Sequence, residues 1–460
     1  MYMPRIVISG TAGGAGKTTT SLGLVRALVT QGVSVHPFKK GPDYIDTAWL
    51  GRAAKGIAST LDPFFFDSSA LRAHFAARCR GAGMAVIEGN RGFFDGRDIN
   101  GSCSTEVVAA ALDAPVVLVV DITKMMRSTA AVVAGFRAFP GGERIAGVIL
   151  NRCGGLRHAA IARRAVEELA GVPVYGVLPR VAEPFIPERR AGLITVDMHD
   201  AAEEALDSTA AFFCRHVDVP ALRRLAESAP NMAGLAPVAA PASSLVPGVR
   251  IGVVRDGAFW QYYDENLQAL RDAGAKLVFL SLLTADSWPD IDGLYIGGGD
   301  IAPYAEALAA NTTAKERVCG LVRKGMPVYA EQAGYWFLGE SLEVRGVAYP
   351  MAGILPVSVR VTPTPGKLGY MEATVIAETP YHLMGTRIRG HAYYYGDVAV
   401  GKGTAPSLRE EGGAPFPGGK DDGIAHGALF ASCMQIFAPA VPGWASSFVR
   451  AASAWRRAAV

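Results

Sequence analysis

The chain has 460 residues, of which 50% are hydrophobic and 19% are charged, and its formal net charge is +3. A chain of this length is longer than a single hydrophobic core usually supports, so we expect two or three domains. The apolar content excludes a disordered chain, and the small net charge without any basic patch argues against nucleic-acid binding.

The sequence shows neither a targeting segment nor a cysteine pattern typical of disulfides or metal sites. The N-terminus leads straight into a strand-like apolar stretch and lacks the plan of a signal peptide. No stretch approaches ~20 uninterrupted apolar residues, so no membrane span is expected. The six cysteines lie far apart, without a CxxC pair, which argues against a zinc site or a disulfide framework. These features predict a cytoplasmic protein.

The first half of the chain alternates strand-like and helix-like segments. A helix is predicted over residues 18–30, with Leu22, Val25, Leu28 and Val29 on one face. Strands are predicted at residues 6–9, 34–37, 84–88, 116–121, 148–151 and 172–177. Continuous apolar strands that alternate with helices predict a parallel sheet covered on both faces.

The character of the chain changes between residues 226 and 248. This stretch holds four prolines and almost no charge, which is typical of a linker. A second α/β pattern follows it, with strands predicted at residues 250–254, 277–280, 293–296 and 328–330. We therefore expect one domain over residues 1–225 and another over residues 249–460.

A glycine-rich segment, Gly10-Thr-Ala-Gly-Gly-Ala-Gly-Lys-Thr18, follows the first strand and opens the first helix. This is the context of a P-loop, in which backbone N–H groups and the helix N-terminus bind phosphate. Lys17 would reach the terminal phosphates and Thr18 would hold Mg²⁺. Gly16 follows Gly10 by six positions, not the usual five, as in P-loop proteins that resemble dethiobiotin synthetase. The segment predicts ATP binding.

Four carboxylates follow predicted strands of the same domain. Asp43 and Asp46 come after the second strand, Glu88 ends an apolar run, and Asp95 lies just beyond it. Ligands of parallel sheets bind beyond the carboxyl ends of the strands, and acids beside a nucleotide can hold Mg²⁺. Each Asp alone could equally form a turn or cap a helix. Four together at strand ends favour a functional site.

These segments carry a resemblance to a known family. The strings GTAGGAGKTT, PFKKGPDYID, IEGNRGFFDG, PVVLVVD and GVILNR resemble those of cobyrinic acid a,c-diamide synthases, and so do RDGAFWQYYDENLQALRDAGA, DGLYIGGG and AEALAAN past the linker. The resemblance implies a dethiobiotin-synthetase-like P-loop domain, then a flavodoxin-like class I glutamine amidotransferase domain. Such enzymes activate acetate side chains of a tetrapyrrole with ATP and aminate the acyl phosphate with ammonia from glutamine.

The resemblance also implies roles for individual residues. Metal binding and substrate activation fall to Asp43, Asp46, Glu88 and Asp95, with Thr18, Asp43 and Glu88 as the Mg²⁺ set. Lys39 would meet phosphate or a substrate carboxylate. Asn151 would read the adenine edge, although a buried structural role is equally compatible. The ATP phosphates would be bound by Gly13, Gly14, Ala15, Gly16, Lys17, Thr18 and Thr19.

The second domain departs from the family pattern at its catalytic residues. Gln332 stands where the family has its nucleophilic cysteine, and Gln435 stands where it has its first histidine. A primary amide cannot form the thioester that glutamine hydrolysis needs. Cys433 lies on the wrong element to replace the nucleophile, and a buried, inert thiol is the ordinary interpretation. We expect a domain without glutaminase activity.

Three functional hypotheses remain. The first is an ATP- and Mg²⁺-dependent amidoligase acting on a tetrapyrrole polycarboxylate of the cobyrinate or the sirohaem type, with free ammonia or a separate glutaminase as nitrogen source. The second is a non-catalytic tetrapyrrole or nucleotide carrier, and the third is a P-loop partitioning or metal-insertion ATPase, which would lack a second domain. The second domain could line the substrate cleft or form a homodimer contact. Its aromatic residues Phe259, Trp260, Tyr262, Tyr263 and Trp336 could stack on a macrocycle, but core packing is the favoured interpretation.

Overall fold

A computed structural model describes residues 2–189, 192–193, 195–196, 199–232, 248–284, 286–413 and 421–458. The chain divides into two compact units, Met1–Val238 (unit 1) and Ala239–Val460 (unit 2). The first residues of the predicted linker, 226–248, complete a helix that ends at Glu227, and residues 233–247 lie outside the described residues. The predicted domain boundaries therefore stay a prediction.

Unit 1 alternates strands with helices. Its strands are β1 Arg5–Gly10, β2 Val35–Lys40, β3 Ser59–Leu61, β4 Met84–Glu88, β5 Val116–Asp121, β6 Ile145–Cys153, β7 Val174–Pro179, β8 Glu188–Arg189 and β9 Gly192–Leu193. Its helices are α1 Lys17–Thr30, α2 Tyr44–Ala53, α3 Ser68–Arg78, α4 Thr105–Leu112, α5 Ser128–Ala138, α6 Leu156–Ala165, α7 Ala202–His216 and α8 Val219–Glu227.

The first seven strands form one sheet in the order β3-β2-β4-β1-β5-β6-β7. Every neighbouring pair in it is parallel, which confirms the predicted parallel sheet. β1 and β4, in the middle, are buried along their whole length because helices cover both faces of such sheets. All strands present their carboxyl ends to one edge, and β1, β2 and β4 end there beside one another.

Helix α1 is held against the sheet by close packing at its centre. Leu22, Val25 and Leu28 recur at helical spacing and are buried. A Cβ added to Gly23 would lie 2.7 Å from the Cβ of Phe213 on α7, so only glycine permits this approach. The helix that opens at the glycine-rich loop is thus fixed in position by its tertiary contacts.

The buried guanidinium of Arg5 joins distant parts of unit 1. It donates to the carbonyl oxygens of Leu112 at 2.6 Å, Met3 at 3.0 Å, Asp113 at 3.1 Å and Pro230 at 2.8 Å. Burial lowers the pKa of Arg5, yet four carbonyl acceptors compensate for its loss of water. The segment after α8 is therefore hydrogen-bonded to the first residue of β1.

Unit 2 contains more and shorter strands. They are β10 Val249–Val254, β11 Phe259–Gln261, β12 Ala275–Leu280, β13 Gly293–Ile296, β14 Gly298–Gly299, β15 Val328–Glu331, β16 Ser341–Val344, β17 Val347–Pro350, β18 Val357–Val361, β19 Lys367–Val375, β20 Arg387–Tyr394, β21 Gly396–Val400, β22 Leu408–Gly413, β23 Asp421–Asp422, β24 Ile424–His426, β25 Leu429–Ser432 and β26 Gln435–Ile436. Its helices are α9 Asp264–Asp272, α10 Ala305–Ala310, α11 Thr312–Arg323, α12 Ala333–Leu338 and α13 Trp444–Ala458.

The main sheet of unit 2 has the order β12-β10-β13-β15-β25-β24. Its first five strands are parallel and β24 is antiparallel. Phe259, Tyr263 and Trp336 are buried in the core of this unit, which confirms core packing for these three aromatic residues. No helix in the described part of the chain is both long and apolar enough to span a membrane.

Candidate active site

The glycine-rich loop joins β1 to α1 and keeps the start of the helix open. Gly14 and Gly16 have φ angles of 71° and 99°, which L-residues rarely adopt. No side chain caps the N-terminus of α1, so its first N–H groups point out of the helix without a capping partner. Backbone N–H groups and the helix dipole together suit an anionic ligand such as a phosphate.

Lys17 and Asn151 both bond to the backbone of this loop. The Nζ of Lys17 donates to the carbonyl oxygen of Ala12 at 2.9 Å. Burial, followed by the nearby charge of Lys39, lowers the pKa of Lys17. Asn151, near the end of β6, donates from Nδ2 to the carbonyl oxygen of Ala15 at 2.9 Å and accepts from the N–H of Arg152 at 2.9 Å. The Nδ2 end of this amide thus supports the loop, its Oδ1 end is held by the backbone of β6, and its predicted contact with adenine stays a prediction.

Thr18, on the first turn of α1, reaches the predicted acids. Its Oγ1 donates to Oε1 of Glu88 at 2.8 Å and lies 3.5 Å from Oδ2 of Asp46. Glu88 ends β4 and is fully buried, and burial raises its pKa. Its second oxygen, Oε2, is buried and has no hydrogen-bond partner among the described residues. An unpaired buried carboxylate oxygen is a natural cation ligand.

Lys39 joins the two acids. Its Nζ lies 2.7 Å from Oε1 of Glu88 and 2.5 Å from Oδ2 of Asp46. Burial alone would lower the pKa of Lys39, but the charges of Asp46, Glu88 and Asp43 outweigh it and raise the pKa above its ordinary value. Lys39 therefore stays protonated and neutralises the acids.

The remaining two predicted acids act on the backbone. Asp43 caps α2, with its Oδ1 accepting from the N–H of Asp46 at 2.9 Å. Burial, and then the charge of Asp46, raises the pKa of Asp43 to about 7. Asp95 accepts from the N–H of Gly92 at 2.8 Å, and a Cβ on Gly92 would lie 3.0 Å from the carbonyl oxygen of Thr11. Asp95 thus shapes a loop that touches the glycine-rich loop.

The set predicted to hold Mg²⁺ is only partly assembled. Thr18 contacts Glu88, whereas Asp43 is engaged as a helix cap. Across the described ranges, no group of three or more His, Cys, Asp or Glu side chains is arranged to hold a metal ion. The orphaned Oε2 of Glu88 and the hydroxyl of Thr18 nevertheless fit a hard cation bound together with a nucleotide.

In unit 2, Gln332 lies between β15 and α12, with φ 42° and ψ −99°. Such a strained strand-to-helix turn is where hydrolases present a nucleophile. Oε1 of Gln332 accepts from the N–H of Gly299 at 2.8 Å. Gln435, on β26, is fully buried, and neither atom of its amide has a partner among the described residues.

These amides meet a third one that sequence inspection did not single out. A Cβ on Gly298 would lie 2.2 Å from Nε2 of Gln435, 2.8 Å from Oε1 of Gln261 and 2.9 Å from Oε1 of Gln332. Gln261 belongs to β11, which pairs with β14. Because this pairing joins residues far apart in the chain, no local signal marks Gln261. Cys433 is buried, and nothing among the described residues gives it a catalytic role.

Comparison with known proteins agrees with both units. Residues 6–190 match the CobQ/CobB/MinD/ParA nucleotide-binding domain, and residues 250–437 match the CobB/CobQ-like glutamine amidotransferase domain. These matches confirm the predicted fold class. Cobyrinate a,c-diamide synthase from Magnetococcus marinus is 38% identical over 97% of both chains. The enzymes of that name from Syntrophotalea carbinolica and Archaeoglobus fulgidus are 39% identical over 98% and 37% identical over 92% of both chains. The chain belongs to the cobyrinate a,c-diamide synthase family of ATP-dependent amidoligases.

Proposed function

We propose that the chain converts the a- and c-acetate carboxylates of a cobyrinate-type tetrapyrrole into amides, using ATP and ammonia that unit 2 does not release. The names of its relatives support the substrate class. The observation that carries the proposal is the contact of Thr18, on the P-loop helix, with the Glu88 carboxylate, which Lys39 joins to Asp46. These contacts support the proposal because side chains suited to a cation and to an anion lie together at one edge of the sheet.

The chemistry requires a leaving group on the carboxylate. A carboxylate oxygen of the substrate attacks the γ-phosphorus of ATP, ADP departs, and an acyl phosphate forms. Ammonia then attacks the acyl carbon, phosphate leaves, and the nitrogen loses a proton. The open N-terminus of α1 would hold the phosphates, and Lys17, now bonded to Ala12, would turn towards them.

The acid site suits a divalent cation in this reaction. Thr18 and Glu88 would hold Mg²⁺, with Asp43 as the third predicted ligand. When bound, Mg²⁺ neutralises charge on the phosphate oxygens. Lys39, which now neutralises Glu88 and Asp46, would become available to a phosphate or a substrate carboxylate.

The side chains at two positions of unit 2 bear on where the ammonia comes from. The strained turn at residue 332 carries a carboxamide, which is not a nucleophile able to form a thioester. Residue 435 carries another carboxamide, which cannot act as a general base. Ammonia must then come from solution or from a separate glutaminase.

An assay with ATP, Mg²⁺ and candidate tetrapyrroles tests the proposal. We expect amide product from a cobyrinate-type substrate with ammonium and none with glutamine alone, detected by mass spectrometry as one or two replacements of a hydroxyl by an amino group. Sirohaem serves as the second substrate, and amidation of sirohaem alone would replace the cobyrinate assignment.

One variant and two alternative outcomes test this activity against the other hypotheses. Glu88→Gln keeps the size of the side chain but removes its charge, so amide formation should be lost. ATP hydrolysis without amide would instead indicate an ATPase. Tetrapyrrole binding without either reaction would indicate a carrier, and both results would contradict the proposal.

A further inference from the structure

The turn that carries Gln332 retains the form of a catalytic turn. Gln332 has a positive φ, is only 2% exposed, and stands between a buried strand and a helix. In hydrolases such a turn presents a side chain to the substrate beside backbone N–H groups, which polarise the substrate carbonyl. The turn is fixed by a bond from the N–H of Gln332 to the carbonyl oxygen of Ser432 at 2.9 Å, and by one from Trp336 to the Gln332 carbonyl at 3.0 Å.

The side chain of Gln332 supplies a carbonyl of its own to this position. Its Oε1 accepts from the N–H of Gly299 at 2.8 Å. Gly299 has no room for a side chain, because a Cβ there would lie 1.9 Å from the carbonyl oxygen of Ala258. The backbone N–H of Gly299 is therefore rigidly placed to donate to a carbonyl oxygen. In this structure that oxygen is Oε1 of Gln332, an atom of the protein itself.

The surroundings of this contact match a primary carboxamide. The amide of Gln435 and Oε1 of Gln261 converge on Gly298 next to Gln332, and these three atoms have no hydrogen-bond partner among the described residues. Leaving buried amide atoms unpaired costs free energy, so a ligand that pairs with these atoms is favoured at this position. The Gln332 carboxamide accepts from Gly299 but leaves these atoms unpaired. A free glutamine is not held by the turn, so it can bring its oxygen to Gly299 and its two N–H donors to the orphaned oxygens.

We propose that unit 2 retains a binding site for a primary carboxamide, and that the Gln332 side chain occupies it from within the chain and excludes free glutamine. This inference goes beyond the proposed function, because it concerns unit 2 alone and holds whatever substrate unit 1 amidates. Unit 2 then differs from an inactive glutaminase with an empty site, because the Gln332 side chain fills its carboxamide site.

Removal of the occupant tests the inference by ligand binding. Gln332→Gly deletes the side chain and suits the positive φ, so the turn should survive. L-Glutamine at ten times its Kd should raise the melting temperature of this variant by roughly 3–6 °C. Neither the wild type nor Gln268→Ala, which removes a half-buried glutamine of α9 that bonds to Asp272, should respond. L-Glutamate, which lacks the amide donors, should stabilise the variant much less than glutamine.

A double variant and two contrary results complete the test of the carboxamide site. Adding Gln435→Leu to Gln332→Gly should abolish the response to glutamine, which links the binding to this site. A folded Gln332→Gly protein, or Gln332→Ala if the glycine variant does not fold, that ignores millimolar glutamine would overturn the inference. So would a wild type that binds glutamine equally well. Ammonium-dependent amidation by the same variants reports separately on unit 1.

Discussion

The Nζ of Lys39 lies 2.7 Å from the Glu88 carboxylate, and both side chains are almost completely buried. Lys39→Met keeps most of the volume of the side chain but leaves Glu88 and Asp46 without their counter-charge. Breaking a buried pair on one side costs about 3–5 kcal/mol, so we expect this loss in the free energy of unfolding of unit 1, measured with urea. Because the acids then lack a cation, MgCl₂ should stabilise the variant more than the wild type.

Lys55→Met is the matched control for this substitution. Lys55 is exposed on the surface of the same unit, and loss of an exposed charge changes stability little. A Lys39→Met protein as stable as the control, with no added response to MgCl₂, would contradict the role of Lys39 as a built-in counter-ion.

Gly16→Ala should disable ATP binding. A Cβ at this position would lie 2.1 Å from Nδ2 of Asn151, and the φ of 99° disfavours any side chain. Restoring the left-handed backbone that the phosphate site needs would cost about 1–2 kcal/mol, so ATP affinity should fall by about 5- to 30-fold. Isothermal titration with ATP measures the loss. Gly135→Ala, in open space on α5, should bind ATP normally.

The pH dependence of unit 2 should reflect Glu331. Burial raises the pKa of this carboxyl to about 8, whereas the unfolded value is about 4.3. Between these values the folded state holds a proton that the unfolded state has lost. Stability contributed by this group is therefore complete below about pH 4 and is lost as the pH rises through about 8, with a slope of at most about 1.4 kcal/mol per pH unit.

Glu331→Gln removes this titration while keeping an acceptor for the N–H of Ile436, which bonds to Glu331 at 2.9 Å. Urea midpoints at about pH 5.5 and about pH 8 should then differ less than in the wild type. Glu340→Gln, at an exposed position, should leave the difference unchanged. Equal slopes in all three proteins would show that Glu331 is ionised in the folded state.

Gln332→Cys should not create a glutaminase by itself. The thiol would occupy the strained turn, but Gln435 cannot take its proton, and burial holds the pKa of the nearby His391 at about 3. Addition of Gln435→His supplies a base, for which a gain of about 10²–10⁴-fold over the single variant is expected. Glutamate release measures both. Hydrolysis by the single variant at the rate of the double variant would disprove the need for residue 435.

Much of unit 1 is predictable from local patterns. The predicted strands at residues 84–88 and 116–121 have the observed bounds, and the predicted helix at 18–30 begins one residue late. These elements are long, apolar and regular, so periodicity identifies them. The strand ends also place Asp43, Asp46 and Glu88 at one edge, because parallel strands share their direction.

The contacts within the site are not predictable in the same way. Thr18 and Glu88 are 70 positions apart, and Lys39 meets Glu88 across 49. Nothing local shows that Lys39 points between the acids, or that Asp43 caps α2. Such details depend on side-chain packing and charge, which sequence spacing does not record. The convergence of Gln261, Gln332 and Gln435 on Gly298 is of the same kind.

The Arg5 contacts bear on how unit 1 can be separated from the rest of the chain. A fragment cut at residue 225 would discard Pro230, whose carbonyl accepts from Arg5 at 2.8 Å, and Glu227, whose carbonyl accepts from the Tyr2 hydroxyl at 2.7 Å. A buried guanidinium would then lose one acceptor and gain access to solvent. The shortest fragment that keeps both hydrogen bonds, together with the buried Met232, ends at residue 232.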